Sequence, residues 1–226
     1  PTFRAEKSDT PRHLSEFWMI EPEIAFADLD MNMEVIEAFI KSVVSRIIEK
    51  CPEELAILER DVDRLKNVLQ PFPRVTHNDA AKILRGELEV NGKNALKVQE
   101  EDLKNAHEQL AVVQAEIAER EEKIKTASKG ERKFNEGKII QLRKDVEILT
   151  EKTRNIPGWI ESARNFSDDE DFGNSDETVL TRVFDAPVMV YNWPAKIKSF
   201  YMKEVDGNPD LVKGVDLLAP DGYGEI

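Results

Sequence analysis

The sequence predicts an α+β fold in which short strands lie on either side of a long helical segment. Apolar runs of strand length occur around a polar loop in residues 3–26 and again over 187–219. Between them, apolar residues recur at helical spacing, first over 33–69 and then as heptads over 86–168. Runs of strands that are separated along the chain from runs of helices are typical of an α+β fold.

Composition limits the class of protein. The 226 residues are 40% hydrophobic and 34% charged, which suffices for one or two domains with a core. The net charge of -13 is unlike that of a chain that wraps nucleic acid, so any RNA-binding surface must be local or lie elsewhere. The single cysteine, Cys51, excludes an internal disulfide, and no apolar run approaches the roughly 20 residues that span a bilayer. We therefore expect an intracellular, cytoplasmic location.

The chain begins with a predicted strand, loop and strand. A short run ends at Glu6, a polar segment with a proline covers 7–12, and an aromatic and aliphatic run covers 14–26. Apolar runs on either side of Asp, Thr and Pro favour this arrangement. The geometry would aim five polar side chains towards one surface: Arg4, Glu6, Arg12, His13 and Glu21.

Two helices are predicted next. From Met33 onwards apolar residues repeat as i, i+1, i+4, i+5 pairs, which predicts a half-buried helix packed on the sheet that carries the first hairpin. Asp30 or Asn32 can cap its start. A second helix is predicted over 53–69, where leucine and valine recur at helical spacing before two prolines. Beyond it, His77 is expected to cap a short helix or to lie on the surface.

Residues 86–168 predict an inserted antiparallel coiled-coil hairpin. The first arm has apolar residues spaced by seven: Leu96, Leu103, Leu110, Ile117 and Ile124. After a turn at Lys129 and Gly130, apolar residues alternate by three and four, as heptads do. The first arm carries eight acidic and four basic residues, and the second carries eight basic and five acidic ones, which favours pairing of the arms with each other.

The last part of the chain returns to strands. An acidic run at 167–171 is predicted to be a solvated loop. Apolar runs follow at 187–191 and 212–219, with a turn at 206–209 between them. Strands bounded by Gly, Pro, Asn and Asp are the expected structure for this pattern.

Two blocks of sequence resemble the class II aminoacyl-tRNA synthetases, and among them the asparaginyl type. Phe-Arg-Ala-Glu at 3–6, followed by Arg-His-Leu-Ser-Glu-Phe-Trp at 12–18, resembles motif 2 of that class. Trp-Pro, Ile-Lys and Phe-Tyr-Met within 193–202 resemble a second asparaginyl block, and 216–225 resembles the strand pair that holds magnesium. The resemblance implies an antiparallel catalytic sheet flanked by helices.

The resemblance also implies a division into domains. Residues 1–85 would form the first part of a catalytic core, with the motif 2 hairpin and the helices after it. Residues 169–226 would form the second part, with strands that lead to the metal and ATP site. Residues 86–168 would be a helical hairpin inserted between the two. This arm is either self-contained or a docking arm for tRNA, another subunit or another protein.

The resemblance assigns five residues to ATP. Arg4 would be the catalytic residue on the α-phosphate, since a planar guanidinium donates two hydrogen bonds to a phosphate in a fixed fork. Phe17 would lie under the adenine ring, and Glu6 would lie near the adenine or the amino acid. Arg12 and His13 would meet the outer phosphates.

Further site residues also follow from the resemblance. Glu21 would face the amino-acid pocket, where a carboxylate can accept a hydrogen bond from an ammonium or a side-chain amide. Asp216 and Glu225 would hold Mg²⁺, which prefers carboxylate oxygens together with substrate phosphates. Lys198 and Tyr201 would lie near the pocket, in roles that the resemblance does not specify.

The activity that the resemblance implies is ATP-dependent activation of asparagine, followed by its transfer to tRNA(Asn). Adenylate formation would be positional and electrostatic, without a covalent enzyme intermediate. The complete enzyme is expected to be a homodimer, with its anticodon-binding barrel and motif 1 before residue 1 and motif 3 after residue 226. The chain alone is therefore expected to be inactive. The alternatives are an aspartyl-type enzyme and a non-catalytic relative that acts through its helical arm.

Overall fold

The chain forms two units, and the computed structural model describes residues 1–5 and 14–226, except for the side chain at 221. The first unit combines Pro1–Arg74 with Ala186–Ile226, and the second is Val75–Asp185. Helices and antiparallel strands both occur, which confirms the predicted mixture of α and β structure. The division at 1–85, 86–168 and 169–226 stays a prediction.

Short strands and three helices make up the described part of the first unit. Its helices are α1 (Leu29–Lys50), α2 (Pro52–Ile57) and α3 (Val62–Asn67). Its strands are β1 (Thr2–Phe3), β2 (Glu16–Phe17), the start of β3 (Arg74–Thr76), β4 (Val188–Pro194), β5 (Glu204–Val205), β6 (Asn208–Ala219) and β7 (Gly224–Glu225).

Strand β6 is the centre of the sheet in the first unit. It pairs antiparallel with β4, with β5 and with β7. Met189 in β4 and Leu217 in β6 are cross-strand partners, so they lie on the same face. They form a buried cluster with Phe72 and with Met33 of α1. Helix α1 therefore covers this face of the sheet.

The predicted packing of α1 was wrong in one respect. The helix was expected to lie on the sheet that carries the first hairpin, but within the described residues β1 and β2 form a two-stranded sheet of their own. The long strands β4 and β6 present the buried apolar residues Met189 and Leu217 that α1 needs, whereas β1 and β2 have only two residues each.

The start of α1 also differs from the prediction. The cap is Asp28, whose carboxylate accepts a hydrogen bond from the Met31 N–H at 2.9 Å. Of the predicted apolar pairs, Ile36 and its helical neighbours pack on the buried cluster, while Val35 and Phe39 remain exposed. One residue of each i, i+1 pair thus faces the sheet, because only one stripe of residues along a straight helix can contact the sheet.

The predicted helix over 53–69 is two helices, α2 and α3. Glu59 adopts a φ of 51° between them, a left-handed conformation that ends a right-handed helix. Asp61 then caps α3 by accepting hydrogen bonds from the N–H groups of Asp63 and Arg64 at 3.0 and 3.1 Å. The interruption was missed because the leucine spacing continues across it.

The second unit consists of helices after the end of β3. They are α4 (His77–Leu84), α5 (Ala95–Thr126), α6 (Lys129–Arg164) and α7 (Asn174–Thr181). Helices α5 and α6 are the two long helices that the heptads predicted, and ion pairs such as Glu121–Arg143 at 3.0 Å join them. Their assignment as an inserted coiled coil stays a prediction. Among the described helices, none combines the length and the apolarity needed to cross a membrane.

The prediction for His77 was wrong. The residue is 1% exposed, and its Nε2 lies 2.9 Å from the Glu170 carbonyl oxygen. Its ring stacks on Phe172 with centroids 5.2 Å apart. The cap of α4 is Thr76, which accepts a hydrogen bond from the Asp79 N–H. The acidic loop supplies the partners of His77, and that long-range contact has no local sequence signal.

Glu37 links α1 to the segment that leads into β3. Its carboxylate contacts the Lys41 ammonium at 2.6 Å and accepts a hydrogen bond from the Phe72 N–H at 3.3 Å. Burial by itself would raise the pKa of Glu37, but Lys41, the Phe72 N–H and Arg74 together lower it below its ordinary value. The ionised carboxylate is therefore part of the folded structure.

Replacing Glu37 by Gln is expected to lower the free energy of unfolding by about 1–3 kcal/mol near neutral pH, because a charge-assisted hydrogen bond is lost. The folded-state pKa is lowered, so this stabilisation is complete above the unfolded pKa of 4.5 and is lost as the pH falls through the folded value. Urea unfolding at neutral and acidic pH measures both effects. The control is Glu34→Gln on the exposed side of α1, with an expected change within about 0.5 kcal/mol. An equal loss for both variants would contradict the assignment.

Candidate active site

The first hairpin brings Arg4 and Phe17 to one face. Thr2 pairs with Phe17, and the Arg4 N–H donates to the Ser15 carbonyl oxygen at 3.1 Å, so the antiparallel pairing continues past β1. Side chains alternate along a strand, which places Arg4 on the same face as Thr2 and Phe17. Diagonal neighbours of this kind have Cα atoms about 7–8 Å apart. A guanidinium and an aromatic ring at this separation can contact the phosphate and the base of one nucleotide.

The other residues predicted for this hairpin are only partly described. Glu6, Arg12 and His13 lie outside the described residues, and their roles stay predictions. Glu21 is exposed in the irregular segment between β2 and α1. Arg4 is exposed as well, whereas Phe17 is half-buried.

Asp216 and Glu225 lie on the sheet face opposite to α1. Asp216 pairs with Val190 across β4 and β6, and Leu218 pairs with Glu225 across β6 and β7. Asp216 and Leu218 are two residues apart, so alternation places the carboxylates of Asp216 and Glu225 on one face. The Ile226 N–H donates to the Leu217 carbonyl oxygen at 2.8 Å, which extends this pairing. The two predicted metal ligands are therefore diagonal neighbours on adjacent strands.

A cation from the protein itself already contacts Asp216. The Lys198 Nζ lies 2.9 Å from Asp216 Oδ2, with the two side chains 15% and 20% exposed. The same ammonium lies 3.7 Å from the centroid of the Trp193 ring, well within cation–π range. The resemblance placed Lys198 near the pocket, but sequence reasoning missed its pairing with Asp216. No periodic pattern relates two residues that are 18 positions apart across a turn.

Local packing fixes the ring beneath this ammonium. Trp193 is 1% exposed, and its Nε1–H donates to the Val190 carbonyl oxygen at 3.0 Å. A Cβ at Gly214 would come 3.3 Å from the Met202 sulfur, which is a tight contact, and 3.6 Å from Trp193 Cδ1, which is an ordinary van der Waals distance. A larger residue at 214 would therefore crowd Met202. The Trp193 ring is thus a rigid support for Lys198.

Metal ligands are sparse elsewhere. In residues 1–5 and 14–226, no group of three or more His, Cys, Asp or Glu side chains is arranged to hold a metal ion. A metal at Asp216 and Glu225 would need further oxygen ligands from a substrate or from water, as Mg²⁺ commonly has. Two carboxylates facing one side, near a protein cation, suit a site where a metal arrives together with a phosphate group.

A separate groove lies on the flank of the helical hairpin. It has a volume of about 620 Å³ and is lined on the α5 side by Glu108 and Val112 and on the α6 side by Asp145 and Ile148, among others. Val112 and Ile148 are exposed, so the groove is an open apolar surface. None of the predicted site residues that the structure describes lines it.

Comparison with known proteins defines the class. Residues 1–226 match the family described as tRNA synthetases class II (D, K and N). The chain therefore belongs to this group of class II tRNA synthetases, as the motif 2 and magnesium-strand resemblances predicted. The match covers the hairpin with Arg4, the helical segment and the strands with Asp216 and Glu225.

Two similar proteins of this class are asparagine--tRNA ligases. Asparagine--tRNA ligase of Herpetosiphon aurantiacus is 37% identical over 227 residues, which cover 100% of this chain and 37% of the relative. The protein of the same name from Sorangium cellulosum is 37% identical over 226 residues, 100% of this chain and 36% of the relative.

A solved structure agrees with these relatives. It is asparaginyl-tRNA synthetase from Pyrococcus horikoshii complexed with asparaginyl-adenylate, with 31% identity and a TM-score of 0.61. The alignment covers 100% of this chain and 35% of that chain. The chain thus spans little more than a third of the length of the proteins it matches. The two curated matches extend over the whole chain, 86–168 included.

Proposed function

We propose that this chain is part of the catalytic domain of an enzyme that activates asparagine with ATP and transfers it to tRNA(Asn). The observation that carries this proposal is the placement of Arg4 and Phe17 on one face of the hairpin, in a chain whose relatives are asparagine--tRNA ligases. The similar Pyrococcus protein was solved with asparaginyl-adenylate, the product of such an activation.

Arg4 would act on the α-phosphate of ATP. The asparagine carboxylate attacks this phosphorus and pyrophosphate leaves, so negative charge must be held in place during the reaction. A guanidinium fork supplies two donors for that charge, and the ring of Phe17 would hold the adenine so that the phosphates reach Arg4. Glu21 would accept a hydrogen bond from the asparagine ammonium or amide, and Glu6, Arg12 and His13 would complete the contacts to ATP.

Asp216 and Glu225 would hold Mg²⁺. Their carboxylates share a face on adjacent antiparallel strands, and carboxylate oxygens are the donors that Mg²⁺ prefers. The bound metal would neutralise charge on the ATP phosphates. The protein's part is to orient the two carboxylates through the pairing of β6 with β4 and β7.

The complete enzyme is proposed to be a cytoplasmic homodimer that binds tRNA(Asn). With a net charge of -13 on this chain, its tRNA-binding surface would be local or would lie elsewhere in the enzyme. The α5–α6 segment is proposed to be an inserted coiled-coil arm, supported by the heptad spacing and by ion pairs such as Glu121–Arg143. The molecule that this arm would bind is left unassigned.

Thermal unfolding with non-hydrolysable adenylate analogues tests whether this chain carries part of the pocket. Binding to the native state raises the midpoint of unfolding by mass action. We expect the asparaginyl analogue with Mg²⁺ to raise the midpoint, and the aspartyl analogue to raise it less. Arg46→Ala on the exposed part of α1 serves as a control for changes in surface charge. Equal stabilisation by both analogues would mean that the residues which distinguish asparagine from aspartate lie outside this chain.

A further inference from the structure

The ammonium of Lys198 contacts both a carboxylate and an aromatic ring. Its ammonium lies 2.9 Å from Asp216 Oδ2 and 3.7 Å from the Trp193 ring centroid, and only 15% of the side chain is exposed. A surface ion pair is weakened by water and by the entropy of two mobile side chains. This pair is largely shielded from solvent, and the Trp193 ring beneath it is buried and hydrogen-bonded.

The position of Lys198 follows from the end of β4. Pro194 ends the strand, and the short 3-10 turn Ala195–Ile197 returns the chain towards the sheet. Lys198 follows with an extended backbone, at φ -110° and ψ 172°. The turn therefore places an ammonium next to Asp216, the carboxylate that the proposed function assigns to Mg²⁺.

An ammonium and a divalent cation at the same carboxylate repel each other, because both carry positive charge. We propose that Lys198 is the internal counter-ion of the magnesium site: it orients Asp216 before substrate binds, and its charge opposes the binding of a free divalent cation there. This inference rests on the proposed metal-binding role of Asp216. Lys198 is a positioning residue in this scheme, since it acts through Asp216.

This repulsion couples the metal to the nucleotide. A divalent cation alone binds next to the positive charge of Lys198, so it binds weakly. ATP brings phosphate oxygens that ligate the metal and that give the ammonium a further anionic partner. The site thus favours a metal that arrives with ATP over a free metal ion.

Titration with Mn²⁺ tests this coupling, because the free ion is counted by its paramagnetic resonance signal and its ligand preference resembles that of Mg²⁺. The full chain is compared with Lys198→Met, which keeps an apolar stem over Trp193 and removes the charge. Without ATP, we expect the variant to bind Mn²⁺ about tenfold more tightly, which corresponds to about 1.4 kcal/mol. With ATP present, the difference should shrink. Lys198→Arg should resemble the unmodified chain.

Two controls separate this inference from the proposed function. Lys203→Met removes an exposed lysine nearby and should leave Mn²⁺ affinity unchanged. Adding Asp216→Asn to Lys198→Met should abolish the gain. The inference is overturned if Lys198→Met binds Mn²⁺ no more tightly, or if the gain persists without Asp216, while the unmodified chain still binds Mn²⁺ with ATP. Failure of every form to bind Mn²⁺ with ATP would contradict the metal site itself, and the inference with it.

Discussion

Replacing Arg4 by Ala is expected to lower asparagine-dependent exchange of pyrophosphate into ATP by about 10²–10³-fold. The Arg4 guanidinium lies on the same face of the hairpin as the Phe17 ring. No neutral side chain can replace the two parallel hydrogen bonds that a guanidinium donates to a phosphate. The rate is measured in a form of the protein with the full length of its relatives. The loss should appear mainly in kcat, because charge on the phosphoryl group develops in the transition state.

Two further variants serve as controls for Arg4→Ala. Arg4→Lys keeps the positive charge but not the planar fork, so it should recover only part of the activity. Arg46→Ala removes an exposed arginine from α1 and should leave exchange unchanged. Arg4→Ala should also leave the unfolding midpoint almost unchanged, because Arg4 is exposed. An Arg4→Ala protein with normal exchange would remove Arg4 from the site.

Replacing Trp193 by Ala is expected to lower the free energy of unfolding by about 3–5 kcal/mol. The side chain is 1% exposed, donates a hydrogen bond to the Val190 carbonyl oxygen, and lies beneath the Lys198 ammonium. The truncation would leave a cavity and remove the support of the Lys198–Asp216 pair. Denaturant unfolding followed by circular dichroism measures the loss.

The chain offers a matched control for Trp193. Trp18 is 84% exposed, so Trp18→Ala removes the same side chain without emptying a core and should change stability by about 0.5 kcal/mol or less. Trp193→Phe fills most of the volume and should lie between the two. Equal losses for Trp193→Ala and Trp18→Ala would mean that the burial of Trp193 contributes little to folding.

Much of the fold could be predicted because its signals are periodic. The seven-residue spacing from Leu96 to Ile124 predicted a long helix, and α5 covers that range. The apolar runs at 187–191 and 212–219 predicted strands, and both lie within or overlap β4 and β6. A pattern repeated over several helical turns or a whole strand determines the secondary structure more strongly than any single contact does.

Single contacts between distant segments could not be predicted in this way. The burial of His77 depends on Glu170 and Phe172, which a long helical segment separates from it in sequence. Similarly, Lys198 meets Asp216 only because a short turn returns the chain to the sheet. In both cases the tertiary structure supplies a partner for a polar group, and the local sequence does not show which one.

For the candidate site, the residue types could be predicted from the sequence, but their spatial arrangement could not. Its residue types could be named from the resemblance, because Arg4 and Phe17 lie within one contiguous motif. That Arg4 and Phe17 share a face could be seen only from the register of β1 with β2. That Asp216 and Glu225 share a face could be seen only from the register of β6 with β4 and β7. A shift of one residue in either register would turn a carboxylate or the guanidinium to the opposite face.

The measurement that tests the central claim most directly is amino-acid-dependent exchange of labelled pyrophosphate into ATP, made on a form of the protein with the full length of its relatives. All common amino acids are compared at equal concentration with Mg²⁺ present. We expect that asparagine alone stimulates exchange strongly, and that Arg4→Ala lowers this stimulation by about 10²–10³-fold. Exchange stimulated equally by aspartate, or no exchange with any amino acid from a folded protein, would contradict this expectation.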